Sequence, residues 1–258
     1  MASLLSRRTK VNAKGLFMLV LGPSKAGKSY FMGTQPDGNI LHLHGSSESH
    51  GSISASTPAG DRAISVQWER GDKLIADIMS ILSPENLKAE NITCIGLDSL
   101  TELFRDIRDT KIFKQKCTTA SGKHNNFKES EAMIDIMSKI IHQLRVLYNE
   151  HNINVVCAMH ARVTKVENDI ISEVKPELPG FGVAEFLVGQ FNDILVLNHN
   201  KEKGVREFVS HAVGNRDSKN EDGIVTRYLD FTPCLQNASV IPDTIEATIP
   251  ALLKLKNS

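Results

Sequence analysis

The chain has 258 residues, with 30 Lys and Arg balancing 30 Asp and Glu, so its formal net charge is zero and it is not a globally basic nucleic-acid binder, although local patches remain open. Its length suits one large α/β domain or two small ones, and a hydrophobic content of 41% is ordinary for a globular protein with a sizeable core. No apolar stretch reaches transmembrane length, no signal-peptide core opens the chain, and Cys94, Cys117, Cys157 and Cys234 show no C-x-x-C spacing, so a reducing, cytoplasmic setting away from membranes is expected.

Residues 1–13, with Arg7, Arg8 and Lys10, read as a basic N-terminal arm that frays. The apolar run Leu16–Leu21 reads as a buried strand. It leads into Gly22, Pro23, Ser24, Lys25, Ala26, Gly27, Lys28 and Ser29, which match G-x-x-x-x-G-K-[ST] at every fixed position, with Tyr30 next. Two glycines at that spacing let the backbone curl until successive N–H groups face one concavity, a nest for phosphate oxygens. Lys28 is then placed for the β- and γ-phosphates of ATP and Ser29 for Mg²⁺.

A short helix starts near Lys28 and stops by Gly33, and Gln35–Gly38 is a turn. Asn39–Leu43 is a second strand, 45–60 a Ser- and Gly-rich loop, and Ile64–Trp68 a third strand. A helix is expected over Asp72–Leu82, capped by Asp72 and broken at Ser83-Pro84. Ile92–Leu97 is a buried strand followed by Asp98-Ser99, and Thr101–Thr110 has helical spacing. Lys111–Phe127 is polar, basic and poor in pattern. Glu129–Glu150 is the longest helical stretch, with Met133, Ile136, Met137, Ile140, Ile141, Leu144 and Leu147 at spacings of three and four. Ile153–Met159 is another buried strand, Arg162–Gly180 alternates before Pro and Gly turns, and Val183–Gln190 is a short helix. Strands Ile194–Asn198, Arg206–Val213 and Val225–Phe231 follow, and Ile245–Leu255 reads as a last helix. The alternation of strands and helices to about residue 160 predicts an α/β fold, a mostly parallel sheet with helices on both faces, with antiparallel strands added at the C-terminal edge. The divisions expected are an arm over 1–13, a core over 14–240 and a tail or helix over 241–258.

Asp98 ends an apolar strand in the Walker B manner. In an open α/β sheet the carboxyl ends of the strands line the ligand crevice, so Asp98 can join the loop there and order the metal. The alternative is that it caps the helix that follows. His160 ends a third apolar run and is placed near the γ-phosphate by the same reasoning. His42 and His44 share one strand face with His50 nearby, but no carboxylate or Cys at matching spacing completes a metal site.

These segments resemble the RecA/Rad51-like P-loop ATPase core. More closely, the stretches around Gly22–Ser29, Asp98-Ser99, Val155–Val163 and Leu178–Leu197 are similar to phage-encoded ATPases of that type, AAA-family nucleotide-binding proteins that include single-strand annealing and recombination proteins. The resemblance spans roughly residues 14–230. It implies ATP and Mg²⁺ as cofactors, Asp98 on the metal and His160 as γ-phosphate sensor. It also implies a catalytic carboxylate just beyond the second strand, where Glu48 stands offset and Glu102 and Glu69 are alternatives. Gly214-Asn215-Arg216 keeps the Arg of a K-x-R finger, which makes Arg216 the candidate reaching a neighbouring subunit. A homo-oligomer, ring or filament, follows, with single-stranded DNA as ligand, a single-strand DNA-binding protein as a further partner, and host cytoplasm as the location of a phage-encoded chain.

In that fold the segments after Asp98 and His160 face DNA. The first carries Arg105, Arg108, Lys111, Lys114, Lys116, Lys123 and Lys128, with Phe113 and Phe127 between them, a pattern suited to phosphates and stacked bases or simply to a solvated loop. Three functions stay open at this stage: an ATPase acting on single-stranded DNA in recombination, annealing or replication, a small-molecule kinase, and a non-hydrolysing ATP-dependent interaction module.

Overall fold

A computed structural model describes residues 15–47, 53, 57–119, 121–165, 171–178, 182–200, 204–209, 218–219, 225–226, 235 and 244–257. The first strand, β1 (Phe17–Gly22), is wholly buried. β2 (Asn39–His44), β3 (Ala63–Gln67), β4 (Ile92–Asp98), β5 (Asn154–Lys165), β7 (Asp193–Asn200), β8 (Val205–Val209) and β11 (Thr244–Glu246) join it in the order β3-β2-β4-β5-β1-β7-β8-β11. All neighbours through β7 pair parallel, and β8 runs antiparallel to both β7 and β11. The expected sheet, mostly parallel with antiparallel pairing at its C-terminal edge, is the one the chain forms. At this edge β7 docks parallel beside β1, and antiparallel pairing begins with β8.

Successive β1 side chains point to opposite faces, and each face has its own apolar layer. Phe17, Leu19 and Leu21 pack with α2 (Leu74–Ile81), α3 (Pro84–Ala89), α4 (Leu100–Asp109), α6 (Phe127–His151) and α7 (Val183–Val188). Met18 and Val20 pack with α1 (Lys28–Met32) and the last helix, α8 (Ile249–Lys256). The 25-residue α6 buries all seven apolar residues of its predicted stripe and stops at Asn152, in the left-handed region at φ 57°.

Two local readings are corrected and a third is extended. Asp72 does not cap α2, whose N-cap is Lys73; its carboxylate accepts the Lys111 N–H at 2.8 Å. Ser83-Pro84 ends α2 but also starts α3, with the Ser83 hydroxyl accepting the Asn86 N–H and Pro84 in the first turn, where its missing N–H costs nothing. Lys111–Lys116 is helical (α5), capped by Thr110, and Phe113 is buried.

β5 outruns its predicted end. Its pairing with β1 stops at Gly22 opposite His160, and the strand continues into an antiparallel hairpin with β6 (Ile171–Pro176). β9 (Ser218–Lys219) and β10 (Val225–Thr226) form a separate short pair, the second inside the strand expected over Val225–Phe231. Cys94, Cys117 and Cys157 are free and buried, and burial pushes the Cys94 thiol up to about 12. Cys234 lies outside the described residues. Among the described residues no helix is long and apolar enough to cross a membrane.

Candidate functional site

The turn from β1 into α1 curls tightly. Lys25 and Gly27 both stand in the left-handed region, at φ 63° and 102°. Such a backbone costs a non-glycine residue on the order of 1 kcal/mol, strain that characteristically collects at functional sites. Pro23, Ser24 and Lys25 are exposed, whereas Lys28 is buried. Lys28 folds over the loop, its ammonium donating to the carbonyls of Gly22 at 3.1 Å and Pro23 at 2.9 Å, and it lies 3.4 Å from His160 Nδ1. The loop and β5 thus meet where β5 leaves its pairing with β1.

Asp98, at the carboxyl end of β4, is 2% exposed. Its carboxylate accepts the Ser29 hydroxyl and faces His42 Nε2 at 3.4 Å. It does not cap α4: Ser99 does, its hydroxyl accepting the Glu102 N–H at 3.3 Å. Burial works against the Asp98 charge, but His42, the Ser29 hydroxyl and Lys28 outweigh it and hold the carboxyl below its ordinary value. His42 in turn faces Ser65 Oγ at 3.2 Å and stacks on His44 with ring centroids 4.9 Å apart. No cluster of His, Cys, Asp and Glu suited to a metal occurs among the described residues, and His50 lies outside them.

α4 crosses the carboxyl edge of the sheet. Thr101 Oγ1 accepts the His160 N–H at 2.9 Å, at the last β1–β5 pair. Glu102 Oε1 accepts the Ser47 N–H at 2.9 Å, beyond β2. Asp106 accepts the Trp68 indole N–H at 2.9 Å and the Arg70 guanidinium, beyond β3. The Glu102 carboxyl lies against Gly45: a Cβ there would come within 2.2 Å of its Cδ, so a larger residue would have to push the Glu102 side chain aside. Glu102 is 2% exposed, and its Oε2 has no hydrogen-bond partner among the described residues. Gly45 follows His44, which pairs with Asp98, so this carboxylate stands about one strand spacing from the Asp98 backbone. Glu69 is exposed beyond β3, one strand further out. Glu48 and Arg216 lie outside the described residues.

The basic segment is more tied down than its composition suggests. Arg108 pairs with Glu129 at 2.9 Å, Lys111 with Asp72 at 2.8 Å and Lys116 with Asp135 at 2.9 Å, and Lys114 donates to the Asp109 carbonyl at 2.8 Å. Lys123 and Lys128 are exposed, and Phe127 between them is 97% exposed. One group at the loop escaped sequence reasoning. Arg206 of β8 lays its guanidinium 4.5 Å from the Tyr30 ring centroid, and a Cβ on Gly27 would meet its Nε at 2.3 Å. Nothing in its sequence neighbourhood marks it, because β8 reaches the loop only through the strand order.

No protein-family model and no curated protein sequence matches the chain. Among solved structures it is similar to the RadB recombinase, at 17% identity over 76% of this chain and 80% of that one, with a TM-score of 0.46.

Proposed function

We propose that the chain binds and hydrolyses ATP as a RecA-like protein, and that it does so on single-stranded DNA as a homo-oligomer in recombination, annealing or replication. The observation that carries the first half is the meeting of Lys28, Ser29, Asp98 and His160 at one point of the carboxyl edge. The backbone of Gly22–Ser29 and the Lys28 ammonium hold a triphosphate, and in the bound state Lys28 exchanges its carbonyl partners for phosphate oxygens. The Ser29 hydroxyl and Asp98 carboxylate, already in contact, are the hard oxygen donors that Mg²⁺ takes, directly or through its waters. Bound there, Mg²⁺ supplies charge neutralisation on the phosphate oxygens.

His160 sits where a terminal phosphate is read, and its N–H bond to Thr101 carries that position into α4. Of the carboxylates considered for orienting the attacking water, Glu102 is the described one at the end of β2, with one oxygen uncommitted. A kinase would need a lid bearing arginines, and the two that follow the Ser- and Gly-rich loop, Arg62 and Arg70, are engaged within the fold. Arg62 donates to the carbonyls of Gln35, Pro36 and Gly38, and Arg70 pairs with Asp106.

The DNA half rests on exposed Phe127 flanked by Lys123 and Lys128, an aromatic face among cations. Phosphate release measured with and without single-stranded DNA, beside oligomer mass with and without ATP, tests the whole. Stimulation by DNA that is lost in Lys28→Ala is the expected result. Phosphate transfer to a nucleoside would establish a kinase instead, and tight binding without turnover an interaction module.

A further inference from the structure

The side chains that reach the Asp98 carboxylate meet the same oxygen. The Ser29 hydroxyl donates to Oδ2, and His42 Nε2 faces Oδ2 at 3.4 Å, whereas no described residue bonds Oδ1. A carboxylate only accepts, so Nε2 is the donor in this contact. In a neutral ring Nδ1 is then the acceptor, and the Ser65 hydroxyl donates to it at 3.2 Å. Ser65 is the β3 residue paired with His42, and β4, which carries Asp98, lies on the other side of β2. The line Ser65–His42–Asp98 therefore runs across three adjacent strands. The His42 ring has no solvent exposure, and the His44 ring stacks on it while its own Nδ1 donates to the Gly45 carbonyl at 2.7 Å.

We propose that His42 is a positioning residue of the metal site: oriented by Ser65, it holds Asp98 by Oδ2 so that Oδ1 is presented to Mg²⁺ or its water shell. Both ring nitrogens are engaged, so His42 acts through Asp98 and is not itself a ligand. The Ser29 oxygen is committed to the metal in the bound state, which leaves His42 as the contact to Asp98 that metal binding does not redirect. Groups that orient a ligand in this way govern about 10–100-fold of metal affinity. This inference rests on reading Ser29 and Asp98 as the Mg²⁺ site.

Mn²⁺ in place of Mg²⁺ allows binding to be followed by electron paramagnetic resonance, with adenylyl imidodiphosphate as a nucleotide that does not turn over. His42→Leu removes both ring contacts: Mn²⁺ affinity should fall about tenfold or more, with nucleotide affinity in EDTA within about twofold of the unaltered chain. His42→Gln returns an N–H donor and should recover most of the loss. Ser65→Ala changes an exposed position of the edge strand, leaves His42 in place and should weaken Mn²⁺ binding in the same direction. Unchanged Mn²⁺ affinity in His42→Leu or in Ser65→Ala overturns the inference, and so does a loss that His42→Gln does not recover or that metal-free nucleotide binding shares. Nitrogen NMR of the unaltered chain does not depend on how a variant folds: a proton on His42 Nε2 supports the inference, and a bare Nε2 overturns it. Asp98→Asn separates the two levels. If it leaves Mn²⁺ affinity unchanged, the metal reading fails and the inference with it; if it abolishes Mn²⁺ binding while His42→Leu does not weaken it, the inference alone falls.

Discussion

Replacing Lys256 by Met asks how much of the fold depends on a charge pair sealed inside it. Lys256 Nζ lies 2.9 and 2.8 Å from the two Asp193 carboxylate oxygens, and neither side chain has any solvent exposure. Asp193 Oδ2 also accepts the Phe17 N–H at 3.2 Å, which ties the pair to β1. Met keeps most of the aliphatic stem, so the substitution removes the ammonium far more than the packing. A carboxylate left without its cation in such surroundings costs about 3–5 kcal/mol, a large share of the roughly 5–15 kcal/mol that holds a native domain together. With a urea m-value of about 1–3 kcal/mol/M, the unfolding midpoint should fall by about 1 M or more. Asp193→Asn on top of Lys256→Met removes the stranded charge, so the double variant should lose less than the two single losses added together. A Lys256→Met chain that loses under about 1 kcal/mol, with an unchanged m-value, would refute the reasoning, because the pair would then be behaving like an exposed one.

Asp98→Asn should keep the fold and most nucleotide affinity, since Ser99 carries the cap, while Mg²⁺-dependent phosphate release is lost; normal turnover would remove Asp98 from the metal site. The same variant has a pH signature. The Asp98 pKa is depressed in the fold, so its stabilising contribution is present above the unfolded value of about 3.9 and fades as pH falls through the folded value. The melting temperature of Asp98→Asn should therefore decline less steeply below about pH 4 than that of the unaltered chain. Glu102→Gln keeps the acceptor for Ser47 and the fit against Gly45, so ATP affinity should hold while turnover falls by about 10²-fold or more; equal turnover would leave Glu102 a purely structural group. Neutralising Lys111, Lys114 and Lys116 together should weaken single-stranded DNA binding and flatten its log–log salt slope by roughly 0.7 per lost phosphate contact, with DNA-free hydrolysis unaffected. An unchanged slope across several salt concentrations would take α5 out of the DNA surface.

The sequence disclosed what short-range pattern controls. The α6 stripe was legible because seven apolar residues at helical spacing have one way to be buried. The loop Gly22–Ser29 was legible because its backbone demands are written in its glycines. The end of β4 at Asp98 was legible as a polar residue closing an apolar run, whereas at His160 β5 only leaves β1 and runs on to Lys165. What stayed hidden depends on contacts between distant parts of the chain. The orientation of β7 is set by which edge of β1 was open, and Arg206 reaches the loop only because β8 is two strands from β1. Phe113 and Phe127 look alike in the basic segment, yet α5 turns one inward, at 3% exposure, and leaves the other outside at 97%. The ion pairs that occupy Lys111 and Lys116 required partners 39 and 19 residues away, on the approach to α2 and on α6.

α4 behaves as a tie-beam. Three protons, those of the His160 amide within β5, the Ser47 amide beyond β2 and the Trp68 indole beyond β3, are held by side chains spaced over only six residues, a rise of roughly 8 Å. None of these three segments can relax away from the helix without breaking a bond to it, and loosening the helix frees all three together. The carboxyl edge is therefore a single cooperative unit, engaged or disengaged as a whole. The spacing between His160 and the Glu102 carboxyl is set through two consecutive residues of one helix, Thr101 and Glu102, rather than by two independent loops. Hydrogen exchange gives this a direct reading: the His160 and Ser47 amides should share one opening free energy, and widely different protection at the two would show that the beam carries no common load.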